Sequence, residues 1–342
     1  MTRTFVRLGA LLGFALSLST AALAADTKYQ VAKQFALSGE GGWDYLTYDA
    51  AGKRLFITRS THVMVVDPAT GSILGDIPAL AGVHGVALAP ELGKGFTSNG
   101  RDNSVTVFDL KTLATLANIP IDGKNPDAIV YDPTTKRVFT FNGGSANATA
   151  IDAATNAVIG TFALPGRPEF AAVGANGTIY VNLEDKSSIS AIDAKTNTVV
   201  RTTPLAPCEE PSGLSIDVAH HRLFAGCSNS LMAVIDGDTG KVVTTLPIGK
   251  GTDATAFDPG TQLAFSSNGE GTLTIVHEDS PNAYTVVQNA TTQASARTMA
   301  IDTNTHAAYT VVAQYTLGPP AAGSTRPTRT LVPGSFMLLV VR

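Results

Sequence analysis

An all-β propeller, a closed ring of seven four-stranded blades in a single domain, is the architecture this 342-residue sequence predicts. Three observations predict it. An apolar strand motif ending near an Asp recurs seven times. Its anchor residues Asp49, Ala89, Asp132, Gly174, Asp217, Asp258 and Asp302 lie 40, 43, 42, 43, 41 and 44 residues apart. Several short apolar runs, separated by turn residues, follow each anchor within one period. A repeat in the low forties with several strands per unit marks propeller blades.

The innermost strands are the repeated motifs: Tyr45 to Asp49, Gly85 to Ala89, Ala128 to Asp132, Phe170 to Gly174, Gly213 to Asp217, Ala254 to Asp258 and Thr298 to Asp302. In the fifth unit the second strand spans His221 to Gly226, the third Leu231 to Asp236 and the fourth Val242 to Ile248. Third and fourth strands are joined by Asp-led turns, as at Asp67, Asp109, Asp152, Asp193 and Asp236. Asp opens such turns by accepting nearby backbone N–H groups, and Gly or Asn closes them. Asp236-Gly237-Asp238 therefore reads as a turn; it lacks the other ligands of a calcium loop. Two residues before each anchor stand small or modest side chains, among them Thr47, Ala87, Ala172, Ser215 and Ala256, which let converging inner strands approach. The seventh unit lacks a fourth strand, while Tyr29 to Leu37 is a strand with no blade of its own. Pairing that N-terminal strand into the last blade closes the ring and removes two sheet edges. The Pro-, Gly-, Ser- and Thr-rich segment 314–335 within the seventh unit is expected to be a mobile insertion.

The N-terminus has the form of a secretory signal over residues 1–24. Arg3 and Arg7 precede an apolar stretch, Leu8 to Leu18, that is too short to span a bilayer, and Ala22-Leu23-Ala24 is an A-x-A cleavage site. The expected mature chain, 25–342, is a periplasmic or secreted monomer with no transmembrane segment. Removing the two arginines leaves 22 basic against 28 acidic residues, which argues against a nucleic-acid partner. The only cysteines are Cys208 and Cys227. A hairpin turning at Val218 to His221 places residue 227 near 211, so a disulfide between the two is expected in an oxidising compartment.

At the fourth unit, Ile179-Tyr180-Val181-Asn182, followed by Ile189 to Val200, resembles the YVTN repeat. The chain is similar to the YncE-like family of seven-bladed propellers over nearly all of the mature sequence. That resemblance implies the fold and an exported or surface-associated binding or scaffold role, and it carries no catalytic signature. Two departures stand out: His277-Glu278 replaces the turn Asp in the sixth unit, and the seventh holds the long insertion.

Five residues before the anchors stand Asp44, His84, Asp127, Glu169, Ser212, Asp253 and Arg297. All precede an inner strand, so a closed ring aims them at the mouth of the central channel. Wet channel mouths favour polar residues in any case. Crowded carboxylates, however, raise one another's pKa and attract cations. Arg297 can offset them or anchor an anionic group, and His84 can exchange protons near neutrality. With Glu210 beside the ring and Trp43 as a stacking surface, the set suits a small polar ligand or an envelope protein partner, bound without catalysis. A metal-assisted hydrolase or lactonase is the competing class, with a divalent cation such as calcium on the same carboxylates; a structural envelope scaffold is a third. No cofactor motif is present, and Ser212 and His84 lie too many blades apart for a triad. Asn99, Asn142, Asn182 and Asn268 at second-strand ends read as turn residues, and His220-His221 as a surface turn on the opposite face.

Overall fold

In the computed structural model, residues 1–2, 28–320 and 327–342 are described. The expected signal segment lies outside these residues except at its first two positions. Seven four-stranded antiparallel sheets follow one another around the ring. Blades 1 to 6 each use four consecutive strands; blade 1, for example, is built from Leu46–Asp49, Arg54–Thr58, Val63–Asp67 and Ser72–Ile77. Blade 7 takes Met299–Asp302, Ala307–Val312 and Met337–Val341 from the end of the chain, and Val31–Ala36 from its beginning. Lys33 to Ala36 pair in register with Val340 to Met337, and Gln30 and Arg342 exchange two backbone hydrogen bonds at the end of that ladder. Both ends of the described propeller are thus bound into one sheet, as the orphan strand predicted.

Packing repeats with the sequence. Every second strand carries an aromatic residue in the same register: Phe56, Phe96, Phe139, Tyr180, Phe224, Phe265 and Tyr309, all buried between blades. On the face opposite the mouth, each of the first five blades reaches across to the next. Arg54 donates to the Leu110 carbonyl, Lys94 to Ala153, Arg137 to Ala194, Tyr180 to Gly237 and Arg222 to Pro281. The turn aspartates accept N–H groups from residues two or three places on, as at Ala69, Lys111, Ala154, Lys195 and Thr239. Asp236 is therefore a turn residue. The asparagines at second-strand ends are not exposed turn residues. Asn99, Asn142 and Asn268 are buried and donate to Ser or Thr hydroxyls of the adjoining third strand, while Asn182 binds the Ser212 and Gly213 carbonyls of the next blade.

The described parts of segment 314–335, residues 314–320 and 327–335, are more ordered than their composition implies. Tyr315–Pro320 and Pro327–Leu331 pair as an antiparallel ribbon rising from the mouth face. Alternation of Tyr, Leu, Thr and Arg within it supplies strand propensity that the Pro and Gly content conceals. Cys208 and Cys227 form the expected disulfide, with Cα atoms 5.6 Å apart. It ties the segment leading into blade 5 to the end of that blade's second strand, and it fits an oxidising compartment.

Inner strands of blades 5 and 6 approach so closely at Gly213 that an added Cβ would lie 2.6 Å from the Thr255 nitrogen. Backbone on the far side cannot swing away as a side chain can. Gly213→Ala is therefore expected to destabilise the ring by about 1–3 kcal/mol, measured by urea denaturation; an unchanged midpoint would contradict this packing.

Candidate functional site

The seven ring positions converge as the register requires, and each is partly exposed. Asp44 is the hub. One of its oxygens lies 2.7 Å from His84 Nδ1 and the other 3.7 Å from Arg297 Nη2. His84 Nδ1 is also 3.6 Å from Asp127 Oδ1. Arg297 forms a short ion pair with Asp253, whose carboxylate and backbone carbonyl accept from the Ser212 hydroxyl. The chain Asp127–His84–Asp44–Arg297–Asp253–Ser212 thus links six blades in succession. Glu169 of blade 4 fills the remaining sector.

Two expected members are elsewhere. Trp43 is not a stacking surface for a ligand. Its indole is buried, with ring centroids 5.4 Å from Phe336 and 6.0 Å from Tyr315. Only its carbonyl faces Arg297, at 3.5 Å. An apolar slot between blade 1 and the ribbon outcompetes the wet mouth for so large a ring. Glu210 is exposed and outside the ring; its backbone N–H binds the Ser187 hydroxyl. Arg59 is wholly buried, stacked 3.7 Å over Phe336, and donates to the Gly39 and Gly41 carbonyls. It fixes the loop that delivers Asp44, and burial pushes its guanidinium down to about 10.

The floor beneath the ring was not read from the sequence. Tyr45 of blade 1 stacks on Phe170 of blade 4, centroids 4.3 Å apart and planes 26° apart. Those blades are not neighbours, so the pair crosses the axis. Four residues before the anchors the other blades offer Gly85, Ala128, Gly213, Ala254 and Thr298; two rings among five smaller residues was the available signal. The Tyr45 hydroxyl is buried without a hydrogen-bond partner. Burial, then the carboxylates of Asp127, Glu169, Asp44 and Asp253, hold it in its neutral form.

Electrostatics follow from crowding over this apolar floor. Burial, together with Asp127, Glu184, Asp253 and Asp44, pushes Glu169 up to about 9. Burial raises Asp127 to about 6 against the pull of His84, and raises Asp253 to about 6 against the pull of Arg297. For His84, burial alone would lower the pKa, but the Asp44 hydrogen bond and the Asp127 and Asp44 charges outweigh it and raise it. Near neutrality the mouth holds a protonated Glu169 among ionised neighbours.

An acid whose pKa is raised on folding makes the protein less stable as pH climbs from the unfolded value toward the folded one. For Glu169 that window runs from about 4.5 to about 9. Glu169→Gln, which mimics the protonated acid, should raise Tm at pH 8 by about 1–3 °C. The gain should vanish near pH 4, where both states are protonated. Thermal melts across this range check it, and a pH-independent difference would be inconsistent with the assignment.

Comparison with known proteins places the chain in a family. The family model described as outer membrane protein assembly factor BamB matches residues 101–308, more than half of the chain. The uncharacterized protein YncE of Salmonella typhi is 26% identical over 159 residues, covering 46% of this chain and 33% of that protein. The match thus spans about a third of the relative's length. Among solved structures, U3-55K superposes with a TM-score of 0.76 at 8% identity, covering 91% of this chain and 99% of that one. A chain of the mitotic checkpoint complex gives 0.73 at 13% identity, covering 98% of both. At such identities these two similarities show the fold alone. The chain belongs to the propeller family described as outer membrane protein assembly factor BamB and is a YncE-like seven-bladed member of it.

Proposed function

We propose that the chain is an exported monomer that binds, without catalysis, a small polar ligand or protein side chain carrying a positive group at the channel mouth. The observation that carries this reading is the six-blade polar chain with Glu169 in the remaining sector, lying over the Tyr45–Phe170 floor. Four carboxyl groups face one guanidinium and one imidazole, so the bowl has an excess of acceptors for an ammonium or guanidinium group. The aromatic floor adds apolar contact and cation–π attraction for such a ligand. Tyr315 at the base of the ribbon stacks on Trp43, close to Arg297, which puts the ribbon at the rim where it can contact a larger partner. Export accords with the Cys208–Cys227 disulfide and with the leader-like first 24 residues.

A second reading rests on one observation. Asp44, His84 and Asp127 each offer a ligand atom within 4.8 Å of the others. A divalent cation held there would make the mouth a metal-assisted hydrolase site.

A thermal-shift screen of amines, basic peptides, sugars and divalent cations separates the readings. Amine or guanidinium ligands are expected to raise the wild-type Tm by about 2 °C or more at saturation, and Asp127→Asn/Asp253→Asn to abolish the shift. A shift from manganese or calcium alone, with turnover of esters or lactones, would favour the hydrolase. No shift from any compound would remove the small-ligand reading.

A further inference from the structure

A second cluster lies on the face opposite the mouth, at the seam between blades 5 and 6. It arises where the sixth blade departs from the repeat. In blades 2 to 5 the residue after the turn Asp is Leu110, Ala153, Ala194 or Gly237, a buried apolar or small residue whose N–H bonds the carbonyl just before the second strand. In blade 6 the equivalent residue, whose N–H bonds the Gln262 carbonyl, is Glu278. A slot built for an alanine therefore holds a carboxylate that is 3% exposed.

Glu278 faces Asp217, the anchor of the blade 5 inner strand, itself 1% exposed. Both Glu278 oxygens and the Asp217 Oδ2 lack a directed hydrogen-bond partner. His220 from the blade 5 turn brings Nδ1 to 2.6 Å from Asp217 Oδ2 and 3.1 Å from Glu278 Oε1. One nitrogen cannot donate to both. Arg222, the guanidinium acting on this pair, is committed to the Pro281 and His220 carbonyls and to Asp236. Two buried carboxylates without adequate donors are expensive unless something positive joins them.

We propose that Asp217, His220 and Glu278 bind one first-row divalent cation, which clamps blade 5 to blade 6. Their ligand atoms lie within 4.8 Å of one another, so one ion can reach all three after small side-chain rotations. An imidazole with two carboxylates is a donor set for zinc or manganese rather than calcium, which takes oxygen ligands alone. His220 is partly exposed, which admits the ion and leaves the remaining coordination positions to water. This site is independent of the mouth and of any ligand bound there.

The test uses the mature chain stripped of metal by a chelator and titrated with zinc chloride by calorimetry, with melting curves alongside. Wild type should bind one zinc ion at the seam and gain Tm. Glu278→Ala and His220→Ala should each weaken that binding at least tenfold. Asp127→Asn, which alters the mouth cluster, should keep it. Metal-free Glu278→Ala should melt no lower than metal-free wild type, since alanine already occupies this slot in blades 3 and 4. Wild type without a zinc-dependent Tm gain, full affinity retained in both seam variants, or loss of binding only in Asp127→Asn would each overturn the proposal. Calcium chloride producing the gain where zinc does not would overturn the donor assignment.

Discussion

Pairing of Val31–Ala36 with Met337–Val341 is the interaction on which the rest depends. Propeller blades are wedges, and seven of them meet at an axis only if the last is locked to the first. A strand from one end of the chain completes a sheet made by the other, so opening the ring requires breaking a full β ladder. Closure fixes the radius at which the inner strands converge. That radius in turn sets why Gly213 has no room for a side chain, why the column around Thr47 and Ala87 is small, and why residues forty apart in sequence meet at Asp44.

Convergence also governs the chemistry. A mouth that gathers one side chain per blade concentrates charge that isolated loops would keep apart. Over an aromatic floor, water cannot screen four carboxyl groups fully, so the protons redistribute. Glu169, outside the chain of contacts that joins Arg297 and His84, keeps its proton; Asp44, touching both, serves as the hub. Five of the seven positions lie within sheet strands, and Asp44 and Arg297 on the loops just before theirs, so a ligand bound there would pay little ordering cost.

The repeat made the architecture legible, because period, turn chemistry and the orphan strand all point to one ring. The facing of the mouth residues was legible too, since one shared offset from the anchors defines it. Trp43 was misplaced because position along the chain gives proximity, not direction, and its slot is created by a ribbon that composition disguised. Glu210 failed for a related reason: one residue before a strand of blade 5, it leaves the ring's register and turns to solvent. Tyr45 and Phe170 were visible as outliers in a column of smaller residues, yet their contact spans non-neighbouring blades, which no local pattern encodes. Glu278 stood out in sequence as a broken turn; only packing shows that the break points inward.

The stacked pair beneath the mouth has a topological consequence. Two rings stacked 4.3 Å apart across the axis stand between the mouth and the opposite face. A molecule entering at the mouth would meet this barrier first, and the ion proposed at the seam of blades 5 and 6 would have a separate place of entry on the far face.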